Sequence, residues 1–185
     1  MTSESPVAAV VRVFYALVPP PSLQAALAVI GRDLARRAHG RPVPAPNIHL
    51  TLAFVGAWPI ARLPALTSAG ASLNAPPFAM PLDVQGGFRR AGVAWVGATA
   101  SPPALLGLAG SLHTALSAAG ITLDARPLYP HLTLARKCRG PYPDEPIGPL
   151  RWDVDTVSLM LSDTRAEGAR YATLAQWPLG HRGMA

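Results

Sequence analysis

The residues best suited to chemistry lie in a tetrapeptide, His-Leu-Thr-Leu, that occurs twice in the chain, at 49–52 and at 131–134. Side chains alternate between the two faces of a strand, so the histidine and the threonine of each copy share one face. The two leucines point to the opposite face, where they can pack under helices. Each copy therefore predicts a strand with one apolar face that anchors it and one polar face that is free to act.

The pairs His49–Thr51 and His131–Thr133 suit cleavage of a phosphodiester without a metal ion, provided that the two strands lie side by side. One imidazole takes a proton from the attacking water, and the other, protonated, gives a proton to the leaving oxygen. Histidine serves both roles because its ordinary pKa, about 6.5, lies near the working pH. The threonine hydroxyls can donate hydrogen bonds to phosphate oxygens on which negative charge develops.

A core role or a zinc site would account for the motif less well. A histidine in an apolar strand is often a core residue, and threonine is a good strand former, but two identical copies in matching contexts are uncommon by chance. A zinc site needs three or four protein ligands, and two histidines in separate strands, with no Asp, Glu or Cys at ligand spacing, fall short of that number. The remaining histidines, His39, His113 and His181, show no partner pattern and are expected to be surface or packing residues.

The motifs need elements that position them, and the rest of the chain predicts strands interleaved with helices. Hydrophobic periodicity and proline or glycine punctuation indicate helices over 22–37, 61–73 and 102–119. No linker is long enough to divide the chain, so we expect one α+β domain, residues 1–185, whose two halves are loosely alike. Strands are predicted at 7–18, 48–55, 78–84, 93–96, 129–135, 154–162 and 171–179, with a turn at Gly86-Gly87 and a Gly/Pro-rich loop over 137–150.

Composition is typical of a globular protein with a basic surface. Half of the 185 residues are apolar, the formal charge is +6, and Lys137 is the only lysine, so the positive charge is almost all arginine. Arginine forms bidentate hydrogen bonds with phosphate, although an arginine-rich composition can equally reflect coding bias. The single cysteine, Cys138, excludes an intramolecular disulfide and fits a reducing compartment. The apolar run over 7–18 is too short to cross a membrane, and we expect a cytoplasmic protein without a membrane partner.

The doubled motif and its surroundings resemble the two-histidine (2H) phosphoesterase superfamily, in its RNA 2′,3′-cyclic phosphodiesterase branch, historically called 2′–5′ RNA ligases. The likeness extends over most of the chain. One His-x-Thr-x motif is weak evidence, whereas two in this order and context are specific. The similar segments are 12–17 (first strand), 47–56 (first motif region), 93–97 (central strand), 130–136 (second motif region), and an ending with Leu161-Ser162, Gly168, Tyr171 and 177–179.

The resemblance implies a bilobal, pseudo-two-fold fold, in which two antiparallel β-sheets with outer helices surround a central water-filled cleft. It implies that His49 is the proton donor, that His131 activates water, and that Thr51 and Thr133 hold the phosphate, with no metal ion and no cofactor. The product would be a terminal 2′-phosphate, formed when the bond to the 3′ oxygen breaks. The same groups could also join a 2′,3′-cyclic end to a 5′-hydroxyl and give a 2′–5′ linkage.

Two further residues are candidates for binding the substrate, and each has a plain alternative. Arg136 resembles a family arginine that contacts the phosphate, but strict alternation puts it on the face opposite His131 unless the strand ends or bulges first. As a surface arginine it would have no such role. Phe14, in the first strand, can stack on a base of unpaired RNA or serve as a core aromatic.

The expected partner is an RNA with a 2′,3′-cyclic phosphate end, and we expect a monomer with no obligate protein partner. Two alternatives remain open. The same chemistry could serve small nucleotide cyclic phosphates, which a cleft without basic surroundings would favour. A non-catalytic protein that binds RNA ends is the alternative from another class, and two intact titrating imidazoles argue against it.

Overall fold

The computed structural model describes residues 9–123, 127–142, 144–165 and 168–180, and within them the chain forms three α-helices and nine strands. Each helix has a proline in its first two positions, where a missing N–H costs no hydrogen bond. The helices are α1 (Pro21–Arg37), α2 (Leu63–Ala71) and α3 (Pro103–Ala118). The strands are β1 (Val10–Leu17), β2 (Arg41–Pro42), β3 (Leu50–Pro59), β4 (Phe78–Phe88), β5 (Val93–Gly97), β6 (His131–Arg136), β7 (Glu145–Val154), β8 (Thr156–Arg165) and β9 (Gly168–Pro178).

Two of the sequence features lie outside the described residues, namely the predicted start of the first strand at Val7 and His181. Within the described ranges, no helix combines the length and the hydropathy that a membrane crossing requires.

The strands form one antiparallel sheet in the order β7-β4-β5-β6-β3-β1-β8-β9, with β2 beside β6. We call β3, β1, β8 and β9 the first half-sheet, and β6, β5, β4 and β7 the second half-sheet. The α+β class with antiparallel strands is confirmed. The two sheets expected to be separate are hydrogen-bonded into one where the motif strands β3 and β6 meet, because Leu50 of β3 lies opposite Leu132 of β6.

The helices pack against the sheet, and α1 and α3 each pack on the half-sheet opposite to the one that contains the preceding strand. α1 follows β1 of the first half-sheet but packs on β6 and β5 of the second, whereas α3 packs on β3 of the first. α2 packs on β8 and β9 and also contacts α3. The buried side chains between helices and sheet form a main core cluster that includes Leu50 and Leu132, both with no exposed surface. The two motif strands are thus anchored from their apolar side, as the alternation predicted.

The predicted turn at Gly86-Gly87 is wrong, because β4 continues through both glycines. Gly86 lies opposite Trp95 on β5, and a Cβ on Gly86 would overlap the indole ring of Trp95. A Cβ on Gly87 would overlap the ring of Tyr142 in the same way. The two glycines therefore make room for aromatic rings against the strand backbone, and the turn follows at Arg89–Ala91.

The predicted loop over 137–150 is wrong in its second half, where Glu145–Val154 form the strand β7. β7 lies at the edge of the sheet and pairs with β4 on one side only. An edge strand tolerates proline because part of its N–H groups point to solvent, and Pro146 and Pro149 are both exposed in β7. The prolines that suggested a loop therefore mark the edge of the sheet.

Helix α1 lies directly on the backbone of β6 at Gly31, where a Cβ would come within 2.9 Å of the Leu134 carbonyl oxygen. We predict that Gly31→Ala lowers the free energy of unfolding by about 1–2 kcal/mol, because α1 must shift away from a backbone atom that cannot move aside. Urea unfolding followed by circular dichroism measures this change.

Gly110→Ala is the matched control for this prediction. Gly110 also lies within a helix, α3, and has open space beside it. Alanine there should raise the free energy of unfolding by about 0.5–1 kcal/mol through helix propensity alone. Equal changes in the two variants would contradict the close packing of α1 on β6.

Candidate active site

The four polar motif residues come together where the half-sheets join. The two central motif leucines lie opposite each other in antiparallel strands, and in such a pair the residue before one partner is level with the residue after the other. His49 is therefore level with Thr133, and His131 is level with Thr51. All four side chains are partly buried and lie on the face away from the main core, which we call the site face.

Both histidines are oriented by the same hydrogen bond. Nδ1 of His49 lies 2.8 Å from the carbonyl oxygen of Asn47, and Nδ1 of His131 lies 2.7 Å from the carbonyl oxygen of Tyr129. Because a carbonyl oxygen only accepts, Nδ1 carries the proton in each ring and donates it. Nε2 is then left to accept a proton when the ring is neutral, or to donate one when the ring is charged.

Two hydrogen bonds that the sequence did not predict hold the loop before His49. The side-chain amide of Asn47 donates to the carbonyl oxygen of Ala169 on β9, at 2.8 Å. Nε2 of Gln24 on α1 donates to the carbonyl oxygen of Ile48, at 3.2 Å. These bonds fix the backbone around the carbonyl group that orients the His49 ring. The only signal in the sequence was the position of Asn47, two residues before the motif.

Phe14 packs on the His49 ring and is not free to stack on a base. Its ring centroid lies 4.9 Å from that of His49 and 5.2 Å from that of Tyr171, which is itself 5.0 Å from His49. Phe14 is only 3% exposed and packs with Ala16 and Met160 in a small cluster apart from the main core. The structure therefore favours the plainer interpretation, in which Phe14 is a buried aromatic that helps to fix the orientation of His49.

His131 lies against a larger group of aromatic rings from Phe88, Trp95 and Tyr129. The Phe88 ring meets the imidazole edge-to-face at 4.9 Å, and the rings of Trp95 and Tyr129 lie 6.4 and 6.3 Å from it. These three rings also contact one another, with centroids 5.3 to 5.5 Å apart. No sequence pattern indicated this group, because its members come from separate segments that only the folding of the sheet brings together.

The strand of the second motif contains a β-bulge directly after its threonine. Thr133 and Ala135 lie opposite adjacent residues of β5, so that Leu134 is the extra residue. A bulge changes the faces to which the following side chains point. Leu134 and Ala135 accordingly have no exposed surface, while Arg136 is exposed. Arg136 thus returns to the site face on which His131 lies, and strict alternation fails at this point.

The strand of the first motif bulges at the same position. The repeat extends to five identical residues, His-Leu-Thr-Leu-Ala, at 49–53 and at 131–135, followed by Phe54 in one copy and Arg136 in the other. Phe54 is 52% exposed, and the guanidinium carbon of Arg12 lies 5.4 Å from its ring centroid. The two half-sheets therefore repeat the backbone and the polar groups of the site, but differ in the side chain that follows the bulge.

The electrostatics of the site lower the pKa of both histidines. Desolvation by burial is the main cause for His49 and for His131, and the hydrogen bond to the backbone carbonyl opposes it in each case. The positive charge of Arg136 lowers the pKa of both rings further, and His131 also lowers the pKa of His49. Arg136 is therefore close enough to act on both imidazoles, which agrees with its position after the bulge.

The remaining described histidines lie outside this site. His113 is exposed on α3, and His39 is exposed after α1 with a positive φ of 48°. Among the residues that the structure describes, no three His, Cys, Asp or Glu side chains are grouped so that they could hold a metal ion.

A family model and named proteins both match this chain in sequence. The model of the family described as LigT-like phosphoesterase matches residues 17–95, which include the first motif. RNA 2′,3′-cyclic phosphodiesterase of Escherichia coli strain K12 is 34% identical over 142 residues, which cover 76% of this chain and 80% of that protein. The chain belongs to the LigT-like phosphoesterase family. A protein of the same name from Thermus thermophilus is 34% identical over 182 residues, covering 91% of this chain and 90% of that protein.

Solved structures share the fold of this LigT-like phosphoesterase. The crystal structure of E. coli LigT complexed with 3′-AMP matches with a TM-score of 0.85 at 29% identity, covering 94% of this chain and 100% of that chain. The crystal structure of TT0787 from T. thermophilus matches with a TM-score of 0.76 at 29% identity, over 90% and 97% of the two chains. The resemblance indicated by the doubled motif is thus confirmed.

We predict that Arg136→Gln raises the pKa of both His49 and His131, because removing a nearby positive charge stabilises the imidazolium form. The ring Cε1–H signals, followed by NMR across a pH titration, report each pKa separately.

Arg41→Gln is the control for this measurement. Arg41 is exposed and lies opposite Arg136 in the pairing of β2 with β6, but its charge is not a cause of either histidine shift. It should leave both pKa values at their wild-type positions. Unchanged values in Arg136→Gln would contradict the placement of its guanidinium on the site face.

Proposed function

We propose that this protein hydrolyses the 2′,3′-cyclic phosphate at the end of an RNA and leaves a terminal 2′-phosphate. The observation that carries the proposal is the pair of imidazoles on one face, each with Nδ1 bound to a backbone carbonyl and Nε2 left for proton transfer. The substrate class comes from two relatives at 34% identity that are named RNA 2′,3′-cyclic phosphodiesterase.

In the proposed reaction His131 is the base and His49 is the acid, as the family resemblance implies. Nε2 of neutral His131 removes a proton from a water molecule while the water oxygen bonds to phosphorus. The bond between phosphorus and the 3′ oxygen breaks, and Nε2 of protonated His49 gives its proton to that oxygen. The products are a 2′-phosphomonoester and a free 3′-hydroxyl. The two rings have then exchanged protonation states, and solvent restores them before the next turnover.

Thr51, Thr133 and Arg136 are proposed to hold the non-bridging phosphate oxygens. Negative charge grows on these oxygens as phosphorus becomes five-coordinate, so donors fixed beside them stabilise the transition state. Each threonine is level with the histidine of the other motif copy, which puts one hydroxyl beside each imidazole. The guanidinium of Arg136 adds a full charge and a bidentate donor on the same face.

The same groups are proposed to catalyse the corresponding ligation. A 5′-hydroxyl in place of water would attack the cyclic phosphate, release the 3′ oxygen and form a 2′–5′ linkage. Hydrolysis is expected to dominate, because water is present in vast excess over RNA 5′-hydroxyl ends.

Exposed arginines favour RNA over a small cyclic nucleotide. Arg89 and Arg90 are exposed directly after the ring that contacts His131, and Arg12 and Arg136 are exposed on the site face. An RNA carries further phosphates beyond the cyclic one, and basic side chains along its path bind them. Structures of E. coli LigT complexed with 3′-AMP and with ATP make small nucleotides the second candidate.

We predict that the purified protein converts a short RNA with a 2′,3′-cyclic phosphate end to the 2′-phosphate in the presence of EDTA. His49→Ala and His131→Ala should each lower kcat by about 10²–10⁴-fold, the usual contribution of a general acid or base. Chromatography against 2′- and 3′-phosphate standards identifies the product.

His113→Ala is the matched control, because His113 is an exposed histidine on α3, and it should keep the wild-type rate. The free energy of unfolding of each variant separates loss of chemistry from loss of structure. A 3′-phosphate product would contradict the proposed regiochemistry. Binding without turnover would support the RNA-end-binding alternative, and turnover of cyclic mononucleotides alone would support the second candidate substrate.

We predict a bell-shaped pH dependence of kcat/KM with its maximum below pH 6.5, the ordinary pKa of histidine. This parameter reports the free enzyme, in which the base must be neutral and the acid protonated. Both histidine pKa values are lowered, so both limbs of the curve move to lower pH together.

The maximum of kcat should lie at a higher pH than the maximum of kcat/KM. The reason is that a bound phosphate is an anion and favours the imidazolium form. Steady-state rates across the acid and neutral range measure both curves. A kcat/KM maximum above pH 6.5 would show that the histidines are not the titrating pair, or that their pKa values are not lowered.

A further inference from the structure

The basic residues of the chain are concentrated in three short segments, 36–41, 89–92 and 136–139. These segments contain eight of the 16 lysine and arginine residues and none of the acidic residues. The eight are Arg36, Arg37, Arg41, Arg89, Arg90, Arg136, Lys137 and Arg139. A coding bias towards arginine would spread the charge along the chain, so it does not account for half of the charge in so few residues.

The fold brings the three segments together at one end of the second half-sheet. The N–H group of Cys138 donates to the carbonyl oxygen of Gly92 at 3.0 Å, and the N–H group of Arg139 donates to the carbonyl oxygen of Ala38 at 2.8 Å. These two bonds join the segment after β6 to the turn between β4 and β5 and to the end of α1. We call the eight basic side chains of the three segments the basic surface.

The basic surface is continuous with the site. Arg41 lies opposite Arg136 in the pairing of β2 with β6, and side chains paired in this way point to the same face of a sheet. Arg136 lowers the pKa of both motif histidines, so it lies beside them. The basic surface therefore begins at the proposed position of the phosphate and extends away from it along the end of the sheet.

Most of the charge on the basic surface has no acidic partner. Asp33 and Glu145 form ion pairs with Arg36 and Arg37. The other six cations are exposed and form no ion pair within the part of the chain that the structure describes. Like charges held close together repel one another, and a bound polyanion would relieve this repulsion.

The equivalent positions of the first half carry no charge. After the repeat the first copy continues as Phe-Val-Gly-Ala at 54–57, whereas the second continues as Arg-Lys-Cys-Arg at 136–139. α3, which packs on β3 as α1 packs on β6, ends in Leu-Ser-Ala at 116–118, whereas α1 ends in Ala-Arg-Arg at 35–37. The two halves therefore differ in charge at matching positions, and a polyanion is attracted to one side of the site.

We propose that the basic surface binds the backbone phosphates that precede the terminal nucleotide of the RNA, so that the RNA chain leaves the site over the end of the second half-sheet. This inference rests on the proposed function, which places the cyclic phosphate between the motif histidines. Successive phosphates match a row of cations, because each phosphate that is neutralised releases counterions from the RNA. Arginine also offers each phosphate a bidentate donor. A mononucleotide has no such phosphates, so only the longer substrate gains from the surface.

The test compares a single-stranded RNA of several nucleotides that has a 2′,3′-cyclic phosphate end with adenosine 2′,3′-cyclic monophosphate. The variant Arg41→Gln/Lys137→Gln/Arg139→Gln removes three charges from exposed side chains of the basic surface. It is expected to lower kcat/KM for the RNA by about 10–100-fold at about 0.1 M salt. It should leave kcat/KM for the mononucleotide at the wild-type value.

A second arm measures binding of the same RNA with a 2′-phosphate end and needs no turnover. Fluorescence anisotropy gives the affinity across about 50–200 mM salt. Each phosphate contact of a single strand contributes about 0.7 to the slope of log affinity against log salt concentration, so the loss of three contacts should reduce the slope by about 2.

Arg62→Gln/Arg151→Gln/Arg170→Gln is the matched control. These three arginines are exposed, lie outside the basic surface, and change the net charge by the same amount. The control should stay close to wild type in kcat/KM for both substrates and in the salt slope. A loss for the RNA as large as that of the first variant would assign the effect to net charge and overturn the proposal.

The remaining outcomes are equally decisive. Equal losses for the RNA and the mononucleotide in the basic-surface variant would place the effect in the site itself and overturn the proposal, as would wild-type values for both. If the wild-type protein hydrolyses neither substrate, the proposed function fails. In that case RNA binding that is weakened in the basic-surface variant alone would still support this surface as an RNA-binding site, and absent or unchanged RNA binding would overturn it.

Discussion

The pairing of Leu50 with Leu132 is the contact on which the rest of the site depends. It joins the two half-sheets, and it sets the register in which each motif histidine is level with the threonine of the other copy. A slip of one residue would turn every motif side chain to the opposite face. Both leucines are fully buried under helices, and α1 crosses from the first half-sheet to pack on the second. Packing on the apolar face of the sheet therefore fixes the positions of the polar side chains on the opposite face.

Burial and hydrogen bonding act on the histidines in opposite directions. Packing of Phe14 and Phe88 on the two imidazoles removes water and disfavours the charged rings. The carbonyl groups of Asn47 and Tyr129 accept from Nδ1, which stabilises the charged form and fixes the tautomer at the same time. The resulting rings are held in one orientation, and each can still gain or lose a proton at Nε2, with a pKa below the ordinary value of histidine.

The motif residues could be predicted because alternation in a strand depends only on sequence spacing. The face of Arg136 could not, since the bulge at Leu134 arises from the pairing with β5 and nothing within the motif marks it. Gly86 and Gly87 were misread because glycine usually signals a turn, whereas here the missing Cβ admits rings from elsewhere. In the same way, the aromatic rings around His131 could not be predicted, because Phe88, Trp95 and Tyr129 come from separate segments that only the folded sheet brings together.

The two motif copies are identical in their histidines and threonines but differ just beyond them. Arg136 in one copy corresponds to Phe54 in the other, and the residues opposite the motif threonines are Trp95 and Ala16. A site with only the symmetric histidines and threonines would accept a cyclic phosphate in two opposite orientations, which exchange the 2′ and 3′ oxygens. Each orientation would release a different isomer. A cation and an indole on one side alone make those orientations unequal in energy, and about 1.4 kcal/mol suffices for a tenfold bias. Under the proposed function, the choice of isomer thus depends on Arg136 and Trp95, whose counterparts in the other copy are Phe54 and Ala16, and not on the groups that transfer protons.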